Sequence, residues 1–130
     1  MQFIEDEILA GELVPVLLGQ ATETNETARR IFRQYRLVSH VFCEKKPRVR
    51  GLTVYTKYHT VRHSCGEELL LGALLDFTKQ KLGADVIYYL IPCTVDHASF
   101  VWRHRELLEA YYVVADWDEM QRVWYGEEGI

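Results

Sequence analysis

The sequence is poor in the features that mark a specialised protein class. It holds 3 Pro, 3 Cys and 2 Met among 130 residues, and no apolar run approaches the ~18 residues that a membrane-spanning helix needs. The cysteines, Cys43, Cys65 and Cys93, are odd in number and far apart. They suit free thiols in a reducing cytoplasm better than a disulfide framework. The N-terminus, MQFIEDEILAGE, is acidic and lacks the basic segment of a secretory signal. No G-x-G-x-x-G follows a strand and no Walker A loop is present, which argues against a dinucleotide or P-loop phosphate site. What is present, 48% hydrophobic and 26% charged residues, excludes disorder, collagen and coiled coil. The length predicts a single domain over residues 1–130 that needs neither disulfide nor metal to fold.

Charge is missing by region rather than overall. Residues 1–28 carry six acids and no base, residues 29–62 ten bases and Glu44 alone, and residues 63–130 twelve acids and five bases. The block charges are thus −6, +9 and −7 within a net −4. The basic island reads first as a solvated face. It is also where an anion or an acidic partner would bind, with Arg29, Arg33, Lys45, Lys46, Arg48 and Arg50 as candidate contacts. Nucleic acid is not expected, because the net charge is negative and no recognition motif is present.

Apolar periodicity alternates between strand and helix. Residues 14–18 (VPVLL) form a continuous apolar run ending at Gly19, the pattern of a buried parallel strand. Ala28, Ile31, Phe32 and Tyr35 then recur at helical spacing, with Thr24 or Asn25 as the expected N-cap. A second strand is predicted over 37–43, a loop over 44–57, and a short edge strand over 58–63. Ser64 and Glu67 suit a capping box opening a helix to about residue 82, with Leu70, Ala73, Leu74 and Phe77 buried. A strand over 86–91, a helix over 95–110, a strand over 111–115 and a short helix over 116–124 complete the chain. This order predicts an α/β fold: a three-layer, Rossmann-like domain with a mostly parallel sheet of about four to five strands flanked by helices. Its functional rim lies at the C-terminal ends of the strands, here residues 19–25, 43–46 and 92–97.

The rim limits the chemistry. The first turn, GQATETN, has one glycine, and Glu23 and Glu26 at the helix start would repel a phosphate. No acid directly follows the first strand, so the Mg²⁺ site of a phosphoacceptor receiver domain is not expected. His59 and His63 share a strand face but stand ~13 Å apart along it, too far for one Zn²⁺. Cys93 and His97 sit near a helix start, where a thiol can be activated, although burial at a strand end explains Cys93 more simply. Tyr88, Tyr89, Tyr111 and Tyr112 read as core and sheet-face residues. Trp102, Trp117 and Trp124 mark either packing or a docking surface.

One combination of segments is more specific. VPVLLG, a polar turn ending in Asn25, ETARRIFRQY with Ala28, Arg29, Phe32 and Tyr35, and then LVSHVF resemble the N-terminal, pre-ATP-grasp domain of bacterial ATP-grasp carboxylate–amine ligases. IPCTVDHASFVWRHRELLEAYYVV, with Asp96, Arg105, Glu106 and Leu107, is similar to that family's fourth-strand segment, and the likeness covers about residues 13–120. The resemblance implies a Rossmann-like domain that helps hold a small carboxylate substrate, with Gly19, Gln20, Thr22, Asn25, Thr94 and Asp96 as candidate substrate contacts. It implies ATP and Mg²⁺ only on ATP-grasp lobes elsewhere, no cofactor or metal on this chain, and no ligase activity from it alone. The expectation is a domain without those lobes, either a fragment or separately encoded, whose partner is such a lobe or a second copy. The first turn, QATETN, departs from the smaller or Asp-containing turns of related ligases. A stand-alone module binding an acidic partner through residues 29–62 is the alternative, and a small enzyme using Cys93 a third.

Overall fold

Strand β1 (Leu13–Leu18) buries side chains on both faces, as a central strand of a parallel sheet must. Pro15, which has no N–H to give, precedes the β2 ladder, whose register with β1 begins at Val16 and His40. The structure, a computed structural model, describes residues 13–45, 54–62, 66–79 and 86–115. After β1 come α1 (Ala21–Tyr35), β2 (Ser39–Cys43), β3 (Thr56–Thr60) and α2 (Glu67–Lys79). Then follow β4 (Ile87–Pro92), α3 (Val95–Arg103), α4 (Arg105–Leu108) and β5 (Val113–Val114).

The five strands form one sheet in the order β3-β2-β1-β4-β5, with every neighbouring pair parallel. Helices cover both faces, giving the expected three-layer α/β arrangement. On one face Leu13, Leu17, Val41, Cys43, Tyr89 and Ile91 pack with Ala28 and Ile31 of α1. On the other, Val16, Leu18, Phe42, Tyr88 and Leu90 pack with Leu70, Leu74 and Phe77 of α2 and with Phe100, Val101 and Leu108 of α3 and α4. Alternate residues of β1 and β4 thus feed two cores, which is why those two strands read as unbroken apolar runs. Each fully buried Leu of this set contributes roughly 1.5–3 kcal/mol. Tyr112, ahead of β5, ties that end of the sheet to α2: its hydroxyl donates to the Leu74 carbonyl at 2.5 Å.

Several boundaries differ from the sequence reading. α1 begins at Ala21, with Gln20 rather than Thr24 or Asn25 as its N-cap, and it ends on Arg36 in the left-handed region (φ 61°). The edge strand lies at 56–60 rather than 58–63. The single helix expected over 95–110 is broken at His104, and Leu107 turns outward. The Ser64 cap and the helix expected over 116–124 lie outside the described residues.

Candidate functional site at the sheet switch point

β1 and β4 are neighbours whose following helices leave on opposite faces of the sheet, so a crevice opens above their C-terminal ends. Two backbone bonds extend the ladders past the strands and fix its floor. Cys93 N–H donates to the Leu18 carbonyl (3.0 Å) and Gly19 N–H to that of Phe42 (3.2 Å). Over this floor, on the α2 and α3 side, lies a cavity of about 530 Å³. Gln20, Glu44, Glu67, Asp96, His97 and Arg103 supply its polar wall, and Leu70 and Phe100 its apolar part.

Glu23 closes the other natural binding point of such a fold, the N-terminus of α1. Gln20 N–H donates to Glu23 Oε1 at 2.6 Å. The Glu23 and Thr24 amides donate to the Gln20 carbonyl at 2.9 and 3.0 Å, and the Thr24 hydroxyl donates to the same oxygen at 3.0 Å. Gly19, at φ +147°, lets the carboxylate approach: a Cβ there would stand 3.3 Å from Glu23 Oε1. The positive end of the helix therefore already holds an anion, a side chain of its own. The repulsion read from Glu23 in the sequence is thus a built contact.

Elsewhere the cavity is organised by one ion cluster. Arg103 Nη2 donates to Glu67 Oε1, Arg103 Nε reaches Glu67 Oε2 at 3.4 Å, and His104 Nε2 lies 3.0 Å from that oxygen. This cluster joins the start of α2 to the end of α3. Thr94 N-caps α3 by accepting from His97 N–H (3.0 Å), and its hydroxyl meets His97 Nδ1 at 2.7 Å, which orients that ring. The lining carries three carboxylates against one guanidinium, itself engaged by Glu67.

Of the candidate substrate contacts, Gln20 and Asp96 line the cavity, Thr94 positions His97 beside it, and Gly19 shapes the turn. Thr22 and Asn25 are exposed on α1 and are not among the lining residues. The basic candidates on α1 lie apart from it. Arg29 and Arg30 both donate to Glu26, and the Arg30 bond above all holds that carboxyl below its ordinary range. Arg33 is exposed near the end of α1, on the opposite face of the sheet from α2 and α3. Among the described residues, Lys45 is the basic candidate that adjoins the crevice, its N–H reaching Gln20 Oε1 at 3.4 Å. Lys46, Arg48 and Arg50 lie outside the described residues.

Cys93 is not placed as an activated thiol. It is buried, its thiol is directed to the Ile91 carbonyl (3.8 Å), and burial pushes its pKa up to about 12. His59 meets His40 of β2, while His63 lies outside the described residues. Trp102 is 68% exposed, with the Arg105 guanidinium 3.8 Å from its ring centre, while Trp117 and Trp124 lie outside the described residues. Among the described residues there is no group of three or more His, Cys, Asp or Glu able to hold a metal ion, and no helix long and apolar enough to cross a membrane. Sequence reading did not single out Glu67, Arg103 or His104 as site residues, and it read Glu67 only as part of a helix cap. Glu44 fell within the predicted rim, residues 43–46, but was not named as a contact. No protein-family model, curated protein or solved structure matches the chain.

Proposed function

We propose that this chain is the N-terminal, substrate-side domain of an ATP-grasp-type carboxylate–amine ligase, without ligase activity of its own. The observation that supports this most is the acid-lined cavity at the switch point, beside a helix N-terminus that Glu23 already occupies. A doubly wound domain that served a nucleotide would keep that N-terminus open for phosphate. Here the fold offers a ligand pocket of small-molecule size next to it, with the N-cap Gln20 in its wall. With Glu44, Glu67 and Asp96 against Arg103, the pocket favours the ammonium end of a substrate, and Leu70 and Phe100 give its carbon chain an apolar surface. An amino acid serving as carboxylate or as amine substrate meets both conditions. The chemistry, attack of an amine on an acyl phosphate, would belong to ATP-grasp lobes that supply the cations around the phosphoryl group.

The test is a calorimetric and NMR titration of the purified chain with amino acids, simple amines and simple carboxylates, with and without ATP and Mg²⁺. Saturable binding of ammonium-bearing ligands, weakened about tenfold or more by Asp96→Asn, is expected, and no ADP is released. ADP release, or preference for a carboxylate that lacks an amine, overturns the proposal.

A further inference from the structure

A pair of histidines joins the edge strand to the sheet, away from the cavity. His40 Nδ1 and His59 Nε2 lie 2.9 Å apart. The pair is diagonal: the register sets His40 opposite Lys57 and His59 opposite Phe42, so both rings fall on the α2 face. Their centroids are 5.2 Å apart with planes 27° from parallel, an edge-to-edge approach that aims one nitrogen at the other. Aromatic rings wall the pair. Phe42 stacks on His59 at 4.7 Å, and Phe77 of α2 lies 4.9 Å from His40 and 5.3 Å from His59. β3 is the last strand of the sheet and pairs with β2 alone among the described residues.

Two neutral imidazoles share one proton at such a contact, one ring donating and the other accepting. A first added proton can go to an outer nitrogen and leave the bridge in place, at the cost of a charge among phenyl rings. A second proton has no acceptor left at the bridge, and two N–H groups then face each other at hydrogen-bond distance. The surroundings oppose both steps. Lys57 of β3 shares the pair's face, and β1 presents the apolar Val16 opposite His40. α2 presents Phe77, while its Asp76 and Lys79 are exposed and paired with each other at 3.8 Å. Beyond Phe77, β4 adds Tyr88, a phenol kept neutral by burial.

We propose that the His40–His59 pair is a proton-operated clasp on β3: acid opens it and frees the edge strand while the β2-β1-β4 centre of the sheet stays formed. Burial, then His59 and Lys57, pushes His40 down to about 4, and burial lowers His59 as well. The clasp is therefore closed at neutral pH and opens only in acid. Because the two rings interact, they titrate as a coupled pair.

The experiment follows ring ¹⁵N shifts of the two histidines and amide exchange protection, corrected for intrinsic rates, between pH 7.5 and pH 3.5. Protection at residues 56–60 should fall at least tenfold as the second ring protonates, while that at 13–18 and 87–92 persists. In His59→Gln, which keeps a polar group but no titrating ring, the selective loss at β3 should vanish. Protection of β3 that survives double protonation overturns the clasp, as does loss of all strands together at one pH. These readouts on the native chain decide the question even if the variant does not fold.

Discussion

Three glycines allow the turn beneath the cavity to be dissected by the same substitution. At Gly19 an alanine meets two penalties. The backbone is at φ +147°, and the new Cβ would lie 3.1 Å from Thr24 Cγ2 and 3.3 Å from Glu23 Oε1. Gly66 has the same φ, but a Cβ there meets nothing within 4 Å. Gly72, inside α2, also has open space. Backbone strain of this kind costs about 1–3 kcal/mol, and disturbing the Glu23 cap adds about 1 kcal/mol. Gly72→Ala gains about 0.5–1 kcal/mol from helix propensity. The expected order of stability is Gly72→Ala above the native chain, then Gly66→Ala lower by about 1–3 kcal/mol, and Gly19→Ala lowest, about 1 kcal/mol or more below Gly66→Ala. Urea unfolding monitored by tryptophan fluorescence and far-UV dichroism measures this, provided the slopes agree so that midpoints report stability alone. Equal losses at Gly19 and Gly66 would show that the contact with Glu23 and Thr24 carries no energy. The account of a helix N-terminus sealed by its own carboxylate would then fail.

Tyr112→Phe removes a buried bond to the Leu74 carbonyl and should cost about 1 kcal/mol of unfolding free energy, with little change in the β1 and β4 amide shifts. The Cys93 thiol, pushed up to about 12 by burial, should be at least a hundredfold slower than a free thiol toward iodoacetamide at pH 8 in the folded chain, and react freely in urea. Acid should destabilise the fold through His40. Its folded pKa is depressed from 6.5 to about 4, so its contribution is complete above pH 6.5 and is lost as pH falls toward 4. The full shift corresponds to about 3 kcal/mol, and partial exposure of the ring reduces this to roughly 1–2 kcal/mol, readable as a falling urea midpoint between pH 7 and pH 4.

The layers of the fold were legible because β1 and β4 are apolar throughout and the long helices carry their stripe at 3.6-residue spacing. Ala28 and Ile31, or Leu70, Leu74 and Phe77, needed no tertiary knowledge. The misplaced boundaries have tertiary or unusual local causes. Thr24 looks like an N-cap from sequence, yet it is fully buried in the first turn, and the cap falls to Gln20 because Glu23 reaches back to that amide. The break at His104 has no Pro or Gly to announce it and coincides with a contact to Glu67, 37 residues away. The histidine pair depends on the β2–β3 register, which strand-by-strand reading does not supply. The site was half visible. Strand ends pointed to Gln20, Thr94 and Asp96 and to the stretch holding Glu44, whereas Glu67 and Arg103 join them only when α2 and α3 pack on one face.

Charge placement sets the α1 arginines of the basic island apart from the cavity. α1 crosses from β1 to β2 on one face and carries Arg29, Arg30 and Arg33 with it, while α2 and α3 cross on the other and carry the acids. The packed sheet lies between these arginines and the cavity, and two of them are already held by Glu26. Under the proposed function, selectivity for an ammonium group would rest on Asp96 and Glu44, with Glu67 already paired to Arg103. Raising salt should accordingly weaken any acidic partner on the α1 face more strongly than a small ammonium ligand in the partly enclosed cavity. Ligand affinity that falls as steeply with salt as binding at the exposed α1 arginines would place the ligand on the open surface instead.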